Sequence, residues 1–445
     1  MKNFDLFSGT FRHGVHPDEH KEQTQHVPIA RMPFVARYTL PLSQNAGAPS
    51  QPVVAPGDRV ERGQVIAKPA GFVSTTLHTP VTGRVTALAP RRHPNGQLVD
   101  AIEIEADAFS TQQFARTPPI DWAQLTHDEF VAHVQRAGLV GMGGAGFPTH
   151  VKYRLPEGRR CERLVVNGCE CEPYLTCDHR LMLERPDRVI RGIEIVAKML
   201  GADSSTIGVE LNKPDAIAAL EQASADAFPV DVIPLKVKYP QGAEKMLIKA
   251  IFGEEVPAGK LPLDLDIIVN NVASMAALAD YFDYGQPLVE RLVTVAGPGV
   301  SRPANLLVPI GTPVRDVLAH CGIRAETRQA IMGGPMMGMP LASLDVPVLK
   351  GTSGLLAFTE EVIEHPTEYA CVRCGKCLEA CSNLLNPSRL ARLAQAGRWE
   401  DLERNYVLDC MECGACTYAC PSGVPIVHLI RSAKSSVRQR SDKKK

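Results

Sequence analysis

Residues 371–381 read CVRCGKCLEAC and residues 410–421 read CMECGACTYACP. Each carries C-x2-C-x2-C-x3-C, a spacing that wraps three thiolates around one face of a cubane [4Fe–4S] cluster and sends the fourth cysteine across to the neighbouring one. On that rule Cys371, Cys374, Cys377 and Cys420 hold one cluster, and Cys381, Cys410, Cys413 and Cys416 hold the other. Zinc is the competing reading. It takes four ligands per ion, usually as two separated C-x2-C knuckles, and eight cysteines in compact tandem fit it poorly. Gly375 and Gly414 stand where a side chain would crowd a sulfide. The two repeats differ just past the fourth cysteine: Pro421 comes after Cys420, but Ser382 after Cys381. The serine is expected to change hydrogen bonding around the second cluster, and so its potential.

A second stretch, GMGGAGFPTHVK (141–152), sets Gly141, Gly143 and Gly146 on G-x-G-x-x-G. A dinucleotide fingerprint of that form follows a strand and opens a helix. Here the preceding FVAHVQRAGLV has helical spacing, and Phe147-Pro148 interrupts the loop before a helix can start. Taken alone, the loop reads as a plain glycine-rich turn more readily than as a Rossmann site. Its bare amides keep the capacity to form an anion nest, with Lys152 near enough in sequence to meet a phosphate.

These residues need a scaffold. The chain of 445 residues suggests two to four domains, and 44% hydrophobic with 22% charged residues is ordinary for a globular protein. A net charge of −1 and 5% aromatics argue against nucleic acid as a partner. No uninterrupted apolar run approaches membrane-spanning length, and the N-terminus lacks the apolar region of a signal peptide. Thirteen cysteines then read as metal ligands and packed thiols rather than disulfides. Short β-branched runs and turn signals from about 29 to 106 mark a small all-β unit. The linker 117–126 leads into a helix capped by Asp121 or Thr126. From 160 to 300, strand-like runs (162–167, 205–211, 230–235, 265–270, 291–297) alternate with helical text (178–200, 273–285), the pattern of a parallel α/β layer. A Pro/Gly-punctuated β-plus-helix module comes next. The cysteine-rich remainder is helical, with SRLARLAQAGRWEDLERNY (388–406) separating the two motifs. The basic end, SVRQRSDKKK, reads as a solvated tail.

The blocks GxGGAGFPT…K, VNGCECEP (166–173), YPQGAEK (239–245) and VNNV (269–272) resemble the flavin- and NADH-binding subunit of respiratory complex I, and more closely the C subunit of the Rnf electron-transport complex. The resemblance covers nearly the whole chain: FRHGVHP and PLSQNAGAP near the start, GDRVERGQVIA with TPVTGRV as a biotinyl/lipoyl-like barrel-sandwich hybrid, and GPGVSRPANLLVPIGTPVRDVL with MGGPMMG as an SLBB β-grasp module. It implies an α/β multidomain fold: an N-terminal extension and barrel-sandwich hybrid (1–115), a Rossmann-like FMN/NADH domain (116–297), the SLBB module (298–355), a helical ferredoxin domain with two [4Fe–4S] clusters (356–432) and a basic tail (433–445).

By the same resemblance, Gly141, Gly143, Gly144, Gly146 and Lys152 line the phosphate and ribityl chain of a non-covalent FMN, and Phe147 faces the nicotinamide dinucleotide. Asn167, Glu170 and Glu172 hydrogen-bond the flavin or the NADH ribose, the two glutamates being the catalytic candidates. Tyr239, Gly242 and Glu244 close the pocket, and Asn270 and Asn271 meet the flavin from a strand end. The implied function is that of a peripheral subunit on the cytoplasmic face of the bacterial inner membrane, in an ion-translocating complex that passes electrons between NADH and ferredoxin or flavodoxin. A free-standing flavin/Fe–S NADH dehydrogenase, or a cluster-bearing wire and docking scaffold without its own NADH site, are the alternatives. Cys169, Cys171 and Cys177 read as small packed hydrophobes or, less readily, a redox or metal group. Cys161 and Cys321 read as structural. Lys68 is not placed as a carrier lysine, and His13, His16, His20 and His26 are too irregular for a metal site.

Overall fold

A computed structural model describes residues 9–115, 117–144, 146–363 and 367–442. The last three residues of the basic tail, 443–445, lie outside the described residues.

The central layer is a four-stranded, wholly parallel sheet in the order Asp231–Leu235, Ser204–Glu210, Arg163–Asn167, Ile267–Asn271. Its strands alternate because both faces are covered. Leu164, Val166, Ile207, Val209 and Ile268 point into one core, against the helices Pro186–Leu200 and Val272–Tyr284. Val165, Ile267 and Val269 point into another, against the helix Glu244–Phe252. The helical text 178–200 is two helices, Cys177–Glu184 and Pro186–Leu200, because proline lacks the amide and its ring clashes with the preceding turn. Thr126, not Asp121, caps the helix His127–Arg136, in a reciprocal capping box with Glu129.

One strand departs from the sequence expectation. Glu290–Ala296 does not extend the parallel sheet. It lies inside a second, six-stranded mixed sheet, between Ala304–Pro309 and Gly354–Thr359. An antiparallel hairpin with its immediate successor is a shorter connection than a further parallel crossover. The edge of that sheet is Ile29–Arg31 from the N-terminal extension, paired parallel with Ala304–Pro309. The N-terminal extension is therefore a strap tied into the fold.

The barrel-sandwich unit is two small antiparallel sheets around Tyr38, Leu40, Val60, Ile66, Leu77, Val85, Ile102 and Ile104. The cysteine-rich end is helical. Its core of Leu390, Leu402, Val407, Ile426, Ile430 and Val437 sits between Pro387–Gln395, Trp399–Arg404 and Ile426–Asp442. The last helix corrects the reading of a solvated tail. It runs through the basic text to Asp442, with Ala433 and Val437 buried: an apolar stripe at helical spacing outweighs the charged composition around it.

Candidate functional site: a glycine loop, an acidic turn and two cysteine quartets

The parallel sheet changes winding direction between Arg163–Asn167 and Ile267–Asn271, since the chain leaves the first of these strands to one side and returns on the other. Open α/β sheets bind ligands at the carboxyl ends of strands at that place. The glycine loop covers it. It comes after the helix His127–Arg136 and ends at the short helix Thr149–Tyr153, so its context is not that of a Rossmann fingerprint. Gly141 N–H donates to Phe147 O at 2.8 Å, folding the loop on itself, and Met142 N–H donates to Ser274 Oγ at 3.2 Å. Gly143 and Gly144 are exposed and their amides find no acceptor among the described residues. A Cβ on Gly143 would come within 3.0 Å of Asn271 Nδ2, and one on Gly144 would meet nothing. Gly146, at φ +62°, accepts from Ala46 N–H of the barrel-sandwich unit at 3.1 Å. Phe147 is half-buried.

Beneath the loop, both strand-end asparagines are buried. Asn271 caps its own helix by accepting from Ala273 N–H, and its Nδ2 donates to Asp178 at 2.7 Å. Asn270 accepts from the Tyr153 hydroxyl at 3.1 Å, while its Nδ2 is buried without a partner. Asn167 donates to Gly242 O at 2.7 Å and accepts from Cys169 N–H, stapling the strand end to the YPQGAEK segment. Lys152 is held by Glu244 at 2.5 Å and by Val269 O at 2.9 Å. These residues converge on one cradle.

Three expected site residues have other work. Glu170, in the left-handed region at φ +51°, accepts from the amides of Asp178 and His179 and so caps the helix Cys177–Glu184. A carboxylate at a helix N-terminus satisfies orphan donors and the dipole together. Glu172 accepts from Met336 N–H and Met337 N–H at 3.0 and 2.9 Å, latching the GGPMMG loop of the six-stranded sheet. Burial pushes its carboxyl up to about 7 against the pull of those two amides. Both glutamates, expected from sequence to hydrogen-bond the flavin or the NADH ribose, are engaged by backbone donors, Glu170 at a helix start and Glu172 at the GGPMMG loop. Tyr239 likewise does not close the cradle. Its buried hydroxyl donates to Cys413 O at 2.7 Å, in the second cysteine motif.

Sequence reasoning missed Lys21. Its buried ammonium donates to the carbonyls of Glu170, Glu172 and Leu175, fixing the acidic turn from the N-terminal strap. The only available signal was a lone cation in a stretch without periodicity. Cys169 and Cys177 are buried thiols pushed well up by desolvation, and Cys171 accepts from Gly242 N–H at 3.4 Å. Ligand atoms of Glu170, Cys177 and Asp178 lie within 4.8 Å of one another, but the two carboxylates are committed to the amides and to Asn271. Cys161 and Cys321 are buried, as read. His13 Nδ1 lies 2.9 Å from Leu378 O and His20 stacks on Tyr174, so the N-terminal histidines make contacts rather than a cluster.

The two cysteine motifs fold alike. Arg373 and Gly375 in one, and Glu412 and Gly414 in the other, take positive φ in the same order. Each glycine then opens a short helix, Lys376–Ala380 or Ala415–Tyr418. Cys381, Cys410, Cys413 and Cys416 line one cavity with about 390 Å³ of empty space, part of it open to solvent. Burial raises the Cys413 thiol to about 11 and that of Cys416 further still. As free thiols they stay protonated, and cationic iron is what would take the place of those protons. In the other set, Cys371 and Cys420 act electrostatically on Cys377, while Cys371 and Cys374 are exposed. Cys381 thus lies beside Cys410, Cys413 and Cys416, across the motif boundary.

Residues 134–280 match the Nuo51 FMN-binding domain, 9–109 the RnfC barrel sandwich hybrid domain, 292–340 the SLBB domain and 368–424 the 4Fe-4S dicluster domain. The chain is 42% identical over 98% of its length to the C subunit of the proton-translocating ferredoxin:NAD(+) oxidoreductase complex of Clostridium ljungdahlii, covering 96% of that protein. It is 41% identical over 96% of its length to the C subunit of the Na(+)-translocating ferredoxin:NAD(+) oxidoreductase complex of Acetobacterium woodii, covering 97% of it. It is 42% identical over 99% of its length to the C subunit of the ion-translocating oxidoreductase complex of Rhodobacter capsulatus, covering 85% of it. The chain belongs to this C-subunit family.

A C subunit of this kind has an FMN-binding domain and a dicluster domain, and the residues present fit both groups. The glycine cradle offers free amides at Gly143 and Gly144 and a buried, unpartnered amide nitrogen at Asn270, donors suited to a phosphate and a flavin ring. Four sulfur donors around one cavity suit a soft metal centre, and their tandem spacing selects a cubane over zinc. Among the described residues, no helix of this C subunit is long and apolar enough to cross a membrane.

Proposed function

We propose that this chain is the NADH-oxidising or NAD-reducing peripheral subunit of an ion-translocating membrane complex, exchanging electrons with ferredoxin or flavodoxin from the cytoplasmic face of the bacterial inner membrane. FMN at the glycine cradle supplies the conversion between a hydride pair and single electrons, and the two [4Fe–4S] clusters supply one-electron carriers. Gly141, Gly143, Gly144 and Gly146 leave the cradle free of side chains. Gly143 and Gly144 present amides to the phosphate, with Lys152 able to exchange its Glu244 partner for that charge. Asn270 and Asn271 orient the ring, and Phe147 offers a face to the dinucleotide. Glu170 and Lys21 hold the acidic turn rigid. Glu172 and Tyr239 fix the cradle against Cys381, Cys410, Cys413 and Cys416. In the quartet Cys371, Cys374, Cys377 and Cys420, the exposed Cys371 and Cys374 bring the cluster within reach of a partner protein.

The observation that carries the reading is the hydrogen bond from Tyr239 to Cys413: the segment that Asn167 pins beside the cradle also touches a ligand loop of the inner quartet. The test is anaerobic purification followed by NADH addition. The expected protein holds about eight iron atoms, by the two-cubane assignment, with non-covalent FMN whose absorbance bleaches on NADH. Replacing Gly144 by Leu is expected to abolish flavin retention and leave the iron content unchanged. A protein that neither binds supplied FMN nor responds to NADH defeats the reading.

A further inference from the structure

The cavity bounded by Cys381, Cys410, Cys413 and Cys416 is also lined by two polar residues, Ser382 and Asn383. Ser382 is 8% exposed, and its Oγ is buried without a hydrogen-bond partner. The rest of the wall offers it little. Leu385, Pro387, Leu390, Val427 and Ile430 are apolar, and the neighbouring Asn383 spends its amide on Asp409 O at 2.6 Å. Native proteins rarely leave a buried hydroxyl unpaired, and one that finds no acceptor among the described residues points to a partner outside the polypeptide. The acceptors this cavity is shaped to receive are cluster sulfurs and the thiolates that bind them.

The chain holds its own control. At the matching place in the other motif, after Cys420, stands Pro421, which has no hydroxyl and no amide hydrogen and is exposed. The two quartets otherwise share spacing and backbone conformation.

We propose that Ser382 donates a hydrogen bond to the sulfur of the cluster held by Cys381, Cys410, Cys413 and Cys416, and thereby raises the reduction potential of that cluster alone. A donor aimed at sulfur stabilises the extra negative charge of the reduced state, so removing it lowers the potential. Ser382 binds no iron, so it is a tuning residue beside the ligands. The inference rests on the cluster assignment in the proposed function. It adds a functional asymmetry between two otherwise equivalent motifs: the cluster on the flavin side holds its electron more firmly than its sequence spacing alone would dictate.

The test is an EPR-monitored redox titration of the full-length chain with both clusters in place, comparing wild type with Ser382→Ala. A companion Cys374→Ala chain, lacking the outer cluster, assigns the signals. The expected result is a lower potential for the inner cluster and no change for the outer one. The isosteric pair Ser382→Thr and Ser382→Val keeps the test open should the alanine chain fail to retain its cluster. The threonine chain is expected to match wild type and the valine chain to fall below it. In deuterated buffer, wild type and the threonine chain should show an exchangeable deuteron coupled to the inner cluster, and the valine chain should not. Unchanged potentials, or equal shifts in both clusters, overturn the proposal. Absence of clusters from wild type defeats the function reading instead.

Discussion

The two cysteine quartets are near copies in sequence and backbone, yet they sit in different worlds. The outer one, Cys371, Cys374, Cys377 and Cys420, is met from outside its small domain by His13 at Leu378 O, and two of its thiols are exposed. The inner one is clamped from three directions: by Tyr239 from the α/β domain, by Met336 from the six-stranded sheet over Gly414, and by its own helices, with Lys434 donating to Cys410 O at 2.6 Å. Identical ligand spacing thus gives a cubane site, but its surroundings decide whether that site faces a fixed internal donor or an exchangeable external partner. Motif sequence carries the first property and tertiary packing the second.

The largest expected effect separates the two by deletion. Cys374→Ala and Cys416→Ala should each remove about four iron atoms of about eight. In Cys374→Ala the inner cluster should still be reduced on NADH addition, read by EPR after freezing. In Cys416→Ala the remaining outer cluster should stay oxidised on that timescale, because the intermediate stop is gone. Equal reduction in both variants would make the quartets interchangeable and break the comparison.

The matching glycines sharpen it. Gly375 and Gly414 have φ of +83° and +80°, so an alanine at either is strained by roughly 1–2 kcal/mol. A Cβ on Gly375 meets nothing, whereas one on Gly414 would lie 2.7 Å from Met336 O, a backbone atom that cannot simply step aside. Gly375→Ala should therefore lower thermal stability modestly. Gly414→Ala should lower it further and also weaken docking of the cluster domain, read as faster proteolysis of the segment near residue 360.

The legibility of the sequence divides along the same line. Cysteine spacing and the four parallel strands are local patterns, and local chemistry fixes them, whereas the break at Pro186 that splits the helical text 178–200 in two was passed over. The partners of Glu170, Glu172 and Tyr239 were not legible. Each is decided by a contact across domains or by a left-handed turn, and a motif that sets a carboxylate beside a cradle does not say which donors reach it first. Lys21 and the strand Ile29–Arg31 were invisible for a related reason: their order comes entirely from what they cross. The helix through the basic end was hidden by composition, although Ala433 and Val437 already marked its buried stripe.

A third effect concerns the latch between the acidic turn and the inner quartet's cover. Glu172 has its carboxyl raised from 4.5 to about 7 by burial. A folded value above the unfolded one means the native state binds more protons between those limits, so folding stability falls as pH rises from about 4.5 to 7 and then levels. The full shift corresponds to about 3 kcal/mol at most, taking 1.36 kcal/mol per unit. Glu172→Gln should flatten that segment of the stability profile, measured as thermal midpoints between pH 5 and 8. An unchanged slope would remove Glu172 from the account of why the inner side is held more firmly.

The smallest effect is the most local. Tyr239→Phe deletes one hydroxyl and leaves the part-buried Cys413 O without its donor, a loss of about 1 kcal/mol. Ring packing against Ala380 and Ala415 survives, so the fold, the flavin and the iron content should all be retained. What should change is the coupling: stopped-flow mixing with NADH should show flavin bleaching at the wild-type rate and inner-cluster reduction slowed, because the ligand loop is no longer fixed against the cradle. If both phases keep their wild-type rates, the hydroxyl is a spectator, and the inner quartet's advantage over the outer one must come from Met336 and Glu172 alone.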